Sequence, residues 1–176
     1  MTGAASIRRI DDVVVSYKVA YDGVEVGEIR PRRLGTAELH VPEGRYLLRR
    51  DDTADAIAGG ASLAAALAGS LRLDTRWSLR EDGQVLAGAA RRFRFGLRRD
   101  GVEFDLQDAA GPLAVRMADG LRGGLLLLRG EQRLGRIESA RGGCVFGAAA
   151  FPADRVRCVF ALYVLHTHFG HHPHPS

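Results

Sequence analysis

The chain has 176 residues, 46% of them hydrophobic and 26% charged, with a formal net charge of +4. That length suits a single domain with a substantial core, and the composition excludes a globally disordered chain. Aromatic residues make up only 7%, so the core must be chiefly aliphatic, while the positive balance favours weak, salt-sensitive attraction to anionic surfaces without naming one.

The first ten residues carry Arg8 and Arg9 and lack the apolar run that opens a secretory signal. Apolar and polar residues then alternate in short runs that predict strands near 13–20, 24–30, 36–41 and 45–50. The pattern breaks between Asp51 and Leu73, an Ala- and Gly-rich stretch. Within it Ser62 can cap a short helix near 62–69, with Leu63 and Leu67 on one stripe and Gly69 at its end. Alternation resumes and predicts strands near 75–80, 84–90, 92–98, 102–107, 112–118, 124–129, 133–139 and 144–149. From Pro152 to Phe169 the pattern changes period. Val156, Val159, Phe160, Tyr163 and Val164 form a helical stripe, which Leu162 and Leu165 widen towards the whole circumference. Such a helix belongs in a core or a membrane, and this one is short for a bilayer, as no run reaches about eighteen uninterrupted apolar residues. Residues 1–170 read as one domain and residues 171–176 as a disordered His/Pro tail.

A recurring phrase organises the strands: Tyr21-Asp22-Gly23-Val24, Glu81-Asp82-Gly83-Gln84, Asp108-Ala109-Ala110-Gly111 and Arg129-Gly130-Glu131-Gln132. Asp-Gly between alternating runs signals a tight hairpin, because the primed turns need positive φ, which Gly adopts freely. Asp100-Gly101 has the cleanest flanks, Phe93, Phe95 and Leu97 before it and Val102, Phe104 and Leu106 after it, and predicts a further hairpin turn. The expected fold is mainly β, a barrel of about twelve strands in consecutive hairpins. The apolar C-terminal helix is buried against or inside it.

The hairpins at Asp82 to Ala87 and Asp108 to Val115, with the closing segment Asp154-Arg155-Val156-Arg157-Cys158-Val159-Phe160-Ala161-Leu162-Tyr163-Val164-Leu165, resemble the tubby C-terminal-like superfamily. The likeness is to its branch of LURP-one-related proteins and phospholipid scramblases, and it runs from Val13 to Phe169. It implies a twelve-stranded barrel around a buried C-terminal helix, in a lipid-associated, phosphoinositide-binding or regulatory domain. The cysteine-rich run and calcium-binding segment of the scramblases have no match here, so lipid translocation is not implied.

Function has fewer anchors. Cys144 and Cys158 are the only cysteines, without a second pair to complete a four-ligand zinc site. His166, His168, His171, His172 and His174 cluster at the end, where Gly170, Pro173 and Pro175 interrupt any rigid ligand frame. The acidic pairs Asp11-Asp12 and Asp51-Asp52 lack a third ligand at regular spacing. Trp77 alternates with polar residues and reads as core. No nucleophile-elbow, Walker or dinucleotide fingerprint occurs, so the chain calls for no cofactor and no catalytic residue. Arginine pairs stand at 8–9, 32–33, 49–50, 91–92 and 98–99. Adjacent side chains in a strand face opposite ways, so a pair converges only at a strand end. Arg49, Arg50, Arg98 and Arg99 fall at predicted ends, where they can hold phosphate or carboxylate bidentately. The expectation is a non-enzymatic, cytoplasmic domain, open to membrane association, binding an anionic phospholipid or a protein partner through a basic rim and reading no specific nucleic acid. The alternatives are a metal-binding or enzymatic protein using the C-terminal histidines, and a purely structural module.

Overall fold

A computed structural model of the chain describes residues 5–11, 14–33, 35–50, 75–93, 100–106, 111–117, 125–140, 143–146 and 154–169. These residues form β1 (Ala5–Asp11), β2 (Val15–Tyr21), β3 (Val24–Pro31), β4 (Thr36–Val41), β5 (Gly44–Arg50), β6 (Arg76–Glu81), β7 (Gln84–Phe93), β8 (Asp100–Asp105), β9 (Leu113–Met117), β10 (Leu125–Arg129), β11 (Gln132–Ala140) and β12 (Gly143–Phe146), then the helix α1 (Arg155–Phe169). The expectation of a mainly β chain ending in an apolar helix holds. Consecutive strands pair antiparallel throughout, and β1 also pairs with β12, matching Ser6 with Val145, Ile7 with Cys144 and Arg8 with Gly143. Each strand therefore has two neighbours, and the order of strands returns to its start.

Two strand assignments differ from the sequence pattern. β1 lies where no strand was expected, because only Ala5 and Ile7 mark its inner face while arginines fill its middle. Phe93, expected in a separate strand over 92–98, is instead the last residue of the single strand β7. Asp100-Gly101 is correspondingly no hairpin turn: the two residues open β8, where they pair with Phe93 and Arg92. Glycine suits position 101 for another reason, since a Cβ there would come within 2.9 Å of the Val115 carbonyl oxygen. The short helix expected near 62–69 lies outside the described residues.

The recurring phrase corresponds to a repeated hairpin. β2–β3 and β6–β7 turn through Asp22-Gly23 and Asp82-Gly83, all four residues at positive φ, as a two-residue primed turn requires. β10–β11 turns through Gly130-Glu131. In each hairpin the register slips two residues into the second strand, leaving Val26, Leu86 and Leu134 as the bulged residues. These three side chains pack against the core. A bulge bends and twists its strand, so three of them, spaced four strands apart, curve the sheet at regular intervals.

That curvature makes room for α1. Val159, Phe160, Ala161 and Leu162 are each 0% exposed, and four consecutive helical residues span a full turn. Protein must therefore surround the helix on every side. Its contacts agree, for α1 touches β1 and β12 and also β6 and β7, which stand opposite each other in the strand order. Phe160 meets Phe104 edge-on at 6.4 Å between ring centroids. The helix start is secured by polar contacts. Asp154 caps it, its carboxylate accepting the Arg157 amide at 2.8 Å. The Arg157 side chain returns to the Asp154 carboxylate and donates through Nε to the carbonyl of the bulged Leu86 at 3.1 Å. Arg155 lies over the Tyr21 ring, 4.9 Å from its centroid.

Truncating Phe160 to Ala should cost about 3–5 kcal/mol of stability, against about 1 kcal/mol for Asp154→Ala, both read from urea unfolding. Equal, small losses would show that α1 is not packed in this way. A pH dependence also follows. Removal from water pushes the Cys158 thiol from 9.0 up to about 12 and the Tyr21 and Tyr163 hydroxyls up as well. The fold thus favours the neutral forms, while the unfolded chain releases these protons earlier. Stability should be complete below about pH 8.5 and decline as pH rises towards 12. Cys158→Ala should flatten the first part of that decline, and an unchanged slope would refute the buried neutral thiol.

Candidate functional site

Strand alternation places a group of polar side chains at the end of the sheet where α1 finishes. On β5 the buried Tyr46 and Leu48 continue to Arg50, and on β7 the buried Ala87 and Ala89 continue to Arg91. Between them β6 presents Trp77, in register with Arg50 on one side and Ala89 on the other. Thr75, only 2% exposed, precedes it. Its carbonyl accepts the Arg91 amide at 2.9 Å and its hydroxyl accepts Arg50 Nη2 at 3.5 Å. The Arg50 amide donates to the Gly35 carbonyl at 2.8 Å, tying in the β3–β4 connection. From α1, His168 packs edge-on against Trp77 at 5.9 Å.

These groups line a cavity of about 350 Å³ that forms a mouth at this end of the sheet. The charged side chains among its described lining residues are Arg32, Arg49, Arg50 and Arg91. Arg32 reaches the Glu38 carboxylate at 2.8 Å, and this hydrogen bond, with a second from His40, holds the Glu38 carboxyl below its ordinary range. The far end carries both signs. Each hairpin turn described there has a carboxylate, Asp22, Glu43, Asp82 and Glu131, and Asp154 caps the helix beside Arg155 and Arg157, which pair with Asp22 and Asp154. The C-terminus of α1 lies at the mouth. A helix C-terminus contributes about half a negative charge.

Arg49 and Arg50 both line the cavity, Arg50 in the inward series of Tyr46 and Leu48 and Arg49 one residue out of step with it. Arg98 and Arg99 lie outside the described residues, and so do His171, His172, His174, Asp12, Asp51 and Asp52. His166 and His168 occupy the last turn of α1, where His166 packs against Tyr17 at 5.3 Å. His40 sits 3.4 Å from the Glu38 carboxylate. Among the described residues no group of three or more His, Cys, Asp or Glu side chains is placed to hold a metal ion. Sequence reasoning missed the inward roles of Arg91 and Thr75. The signal for Arg91 was its position two residues beyond Ala89, on the face that Ala87 and Ala89 define.

A second cavity, about 640 Å³, is a shallow groove beside the bulged Val26. Its lining mixes Lys18, His40 and Arg45 with Glu25 and Glu28, and Lys18 pairs with Glu25 at 2.8 Å. Mixed, partly paired charge gives it no preferred ligand. No helix among the described residues is long and apolar enough to cross a membrane. Comparison with protein-family models, curated proteins and solved structures finds no match to this chain.

Proposed function

We propose that the chain is a non-enzymatic binding domain, a twelve-stranded barrel filled by its C-terminal helix, which engages an anionic phospholipid surface through its basic mouth. The pairing of β1 with β12 and the burial of α1 around its full circumference support the barrel. A barrel around such a helix is also the arrangement implied by the resemblance to the tubby C-terminal-like superfamily. The observation that carries the functional reading is the gathering of Arg32, Arg49, Arg50 and Arg91 on one cavity. Guanidinium groups gathered in this way draw the mouth towards an anionic surface. Guanidinium forks suit phosphate oxygens. In this reading Arg49 and Arg50 contact headgroups, joined by Arg98 and Arg99 from the connection between β7 and β8.

The protein should float at low salt with phosphatidylcholine vesicles that contain phosphoinositide, and stay behind with phosphatidylcholine alone. Raising the salt should release it, because charges near a surface are screened within about 10 Å at 0.1 M. Replacing both Arg49 and Arg50 by Ala should weaken partitioning by roughly 2 kcal/mol, about thirty-fold, at ~1 kcal/mol for each surface arginine. Absence from the floated fraction with the phosphoinositide vesicles would end the lipid reading.

A further inference from the structure

We infer that the mouth is more than a charged rim: it is a pocket for one phosphomonoester-type dianion, held between Arg50 and Arg91. This rests on the reading of the mouth as an anion site and adds the ligand's chemical class and seat. The two guanidinium groups come from strands on either side of β6, each at the end of a series of inward-facing residues, so they approach one cavity from two directions. A carboxylate has one pair of oxygens and so offers one bidentate edge. A phosphate dianion presents three terminal oxygens and can offer a separate bidentate edge to each of two forks. Thr75 stands between the arginines, nearly fully buried, with its hydroxyl 3.5 Å from Arg50 Nη2. A buried, positioned hydroxyl is a feature of a built pocket; a solvated rim does not need one.

On the helix side the Thr167 hydroxyl, also a lining group, lies 3.0 Å from the Tyr163 carbonyl and 2.9 Å from that of Val164 and is held back against its own helix. The cavity, about 350 Å³, exceeds a phosphate group and leaves space beside Trp77 and His168 for the moiety that carries it. A ligand seated there touches both the last turn of α1 and the β5–β7 wall, so its binding must stabilise the seated helix.

Trp77 is the only tryptophan in the chain and lines the cavity, so its emission reports occupancy. Titration of the full chain with inorganic phosphate and with phenyl phosphate should change Trp77 fluorescence saturably and raise the melting temperature. Arg50→Ala and Arg91→Ala should each weaken this binding about tenfold or more, and Arg45→Ala on the outer face should not. Should Arg91→Ala fail to fold, Arg91→Lys keeps the charge but loses the fork, and must still weaken phosphate binding. A flat titration, or one that folded Arg50 and Arg91 variants leave unchanged, overturns the pocket. Vesicle binding that persists beside a flat titration would remove the pocket and leave the surface reading standing. With phosphate binding shown, release from vesicles by saturating phosphate makes the lipid headgroup the source of the anion. Simultaneous binding of vesicles and phosphate makes it a soluble phosphomonoester.

Discussion

A helix that is apolar on every side has to be covered on every side, and that requirement organises this molecule. α1 offers no polar face on which it could lie at a surface: Phe160, Leu162, Val164 and Leu165 are all fully buried, each gaining about 1.5–3 kcal/mol from removal from water. One flat layer of sheet would cover a single face. α1 instead touches β1 and β12 and also β6 and β7, and the inner positions of the strands, Ile7, Val19, Ile29, Leu39, Leu79 and Phe104 among them, supply the apolar wall. The three bulged hairpins provide the bend, and one of them lends its spare carbonyl, that of Leu86, to Arg157 of the helix. Helix and sheet each complete the other.

The same requirement places the candidate site. The interior is taken up by α1, and where the helix ends the neighbouring strands continue past it around the cavity of about 350 Å³. At its start the helix is closed off by polar contacts: the Asp154 cap, Arg157 on Leu86 and Arg155 over Tyr21. At its finish, Thr167 and His168 meet Thr75, Trp77, Arg50 and Arg91 across open space. Near the helix N-terminus the carboxylates of Asp22 and Asp154 stand beside Arg155 and Arg157, and near its C-terminus the cavity is lined by Arg32, Arg49, Arg50 and Arg91, where cations are favourable to the helix dipole. The arginines near its C-terminus therefore have a structural use as well as a proposed binding one.

Much of this was legible in the sequence. The hairpins at Asp22-Gly23 and Asp82-Gly83 could be read because the turn needs positive φ at both positions and little else satisfies it. The helix could be read because its apolar period differs from that of a strand. β1 was not legible, since two inward residues among arginines make too short an alternation. Asp100-Gly101 misled because close approach of the Val115 carbonyl selects glycine as strongly as a turn does, and a sequence does not separate the two causes. Near the candidate site, β5 ends at Arg50, as the alternation over 45–50 indicated. Arg91 was overlooked because β7 runs on as far as Phe93, with Arg91 inside the strand rather than past it.

By itself the sequence determined the kind of each element, a β-rich chain with tight Gly-containing turns and a helix that water cannot solvate, because backbone conformation and hydrophobic period are local properties. Only the tertiary structure decided that β1 pairs with β12, that β1, β12, β6 and β7 all reach the helix, and that Arg50 and Arg91, far apart along the chain, face one cavity with Thr75 between them. Those outcomes depend on strand register and on the direction in which the sheet curls. Register is set by pairings between distant segments, and a shift of one residue would turn both arginines to the opposite face.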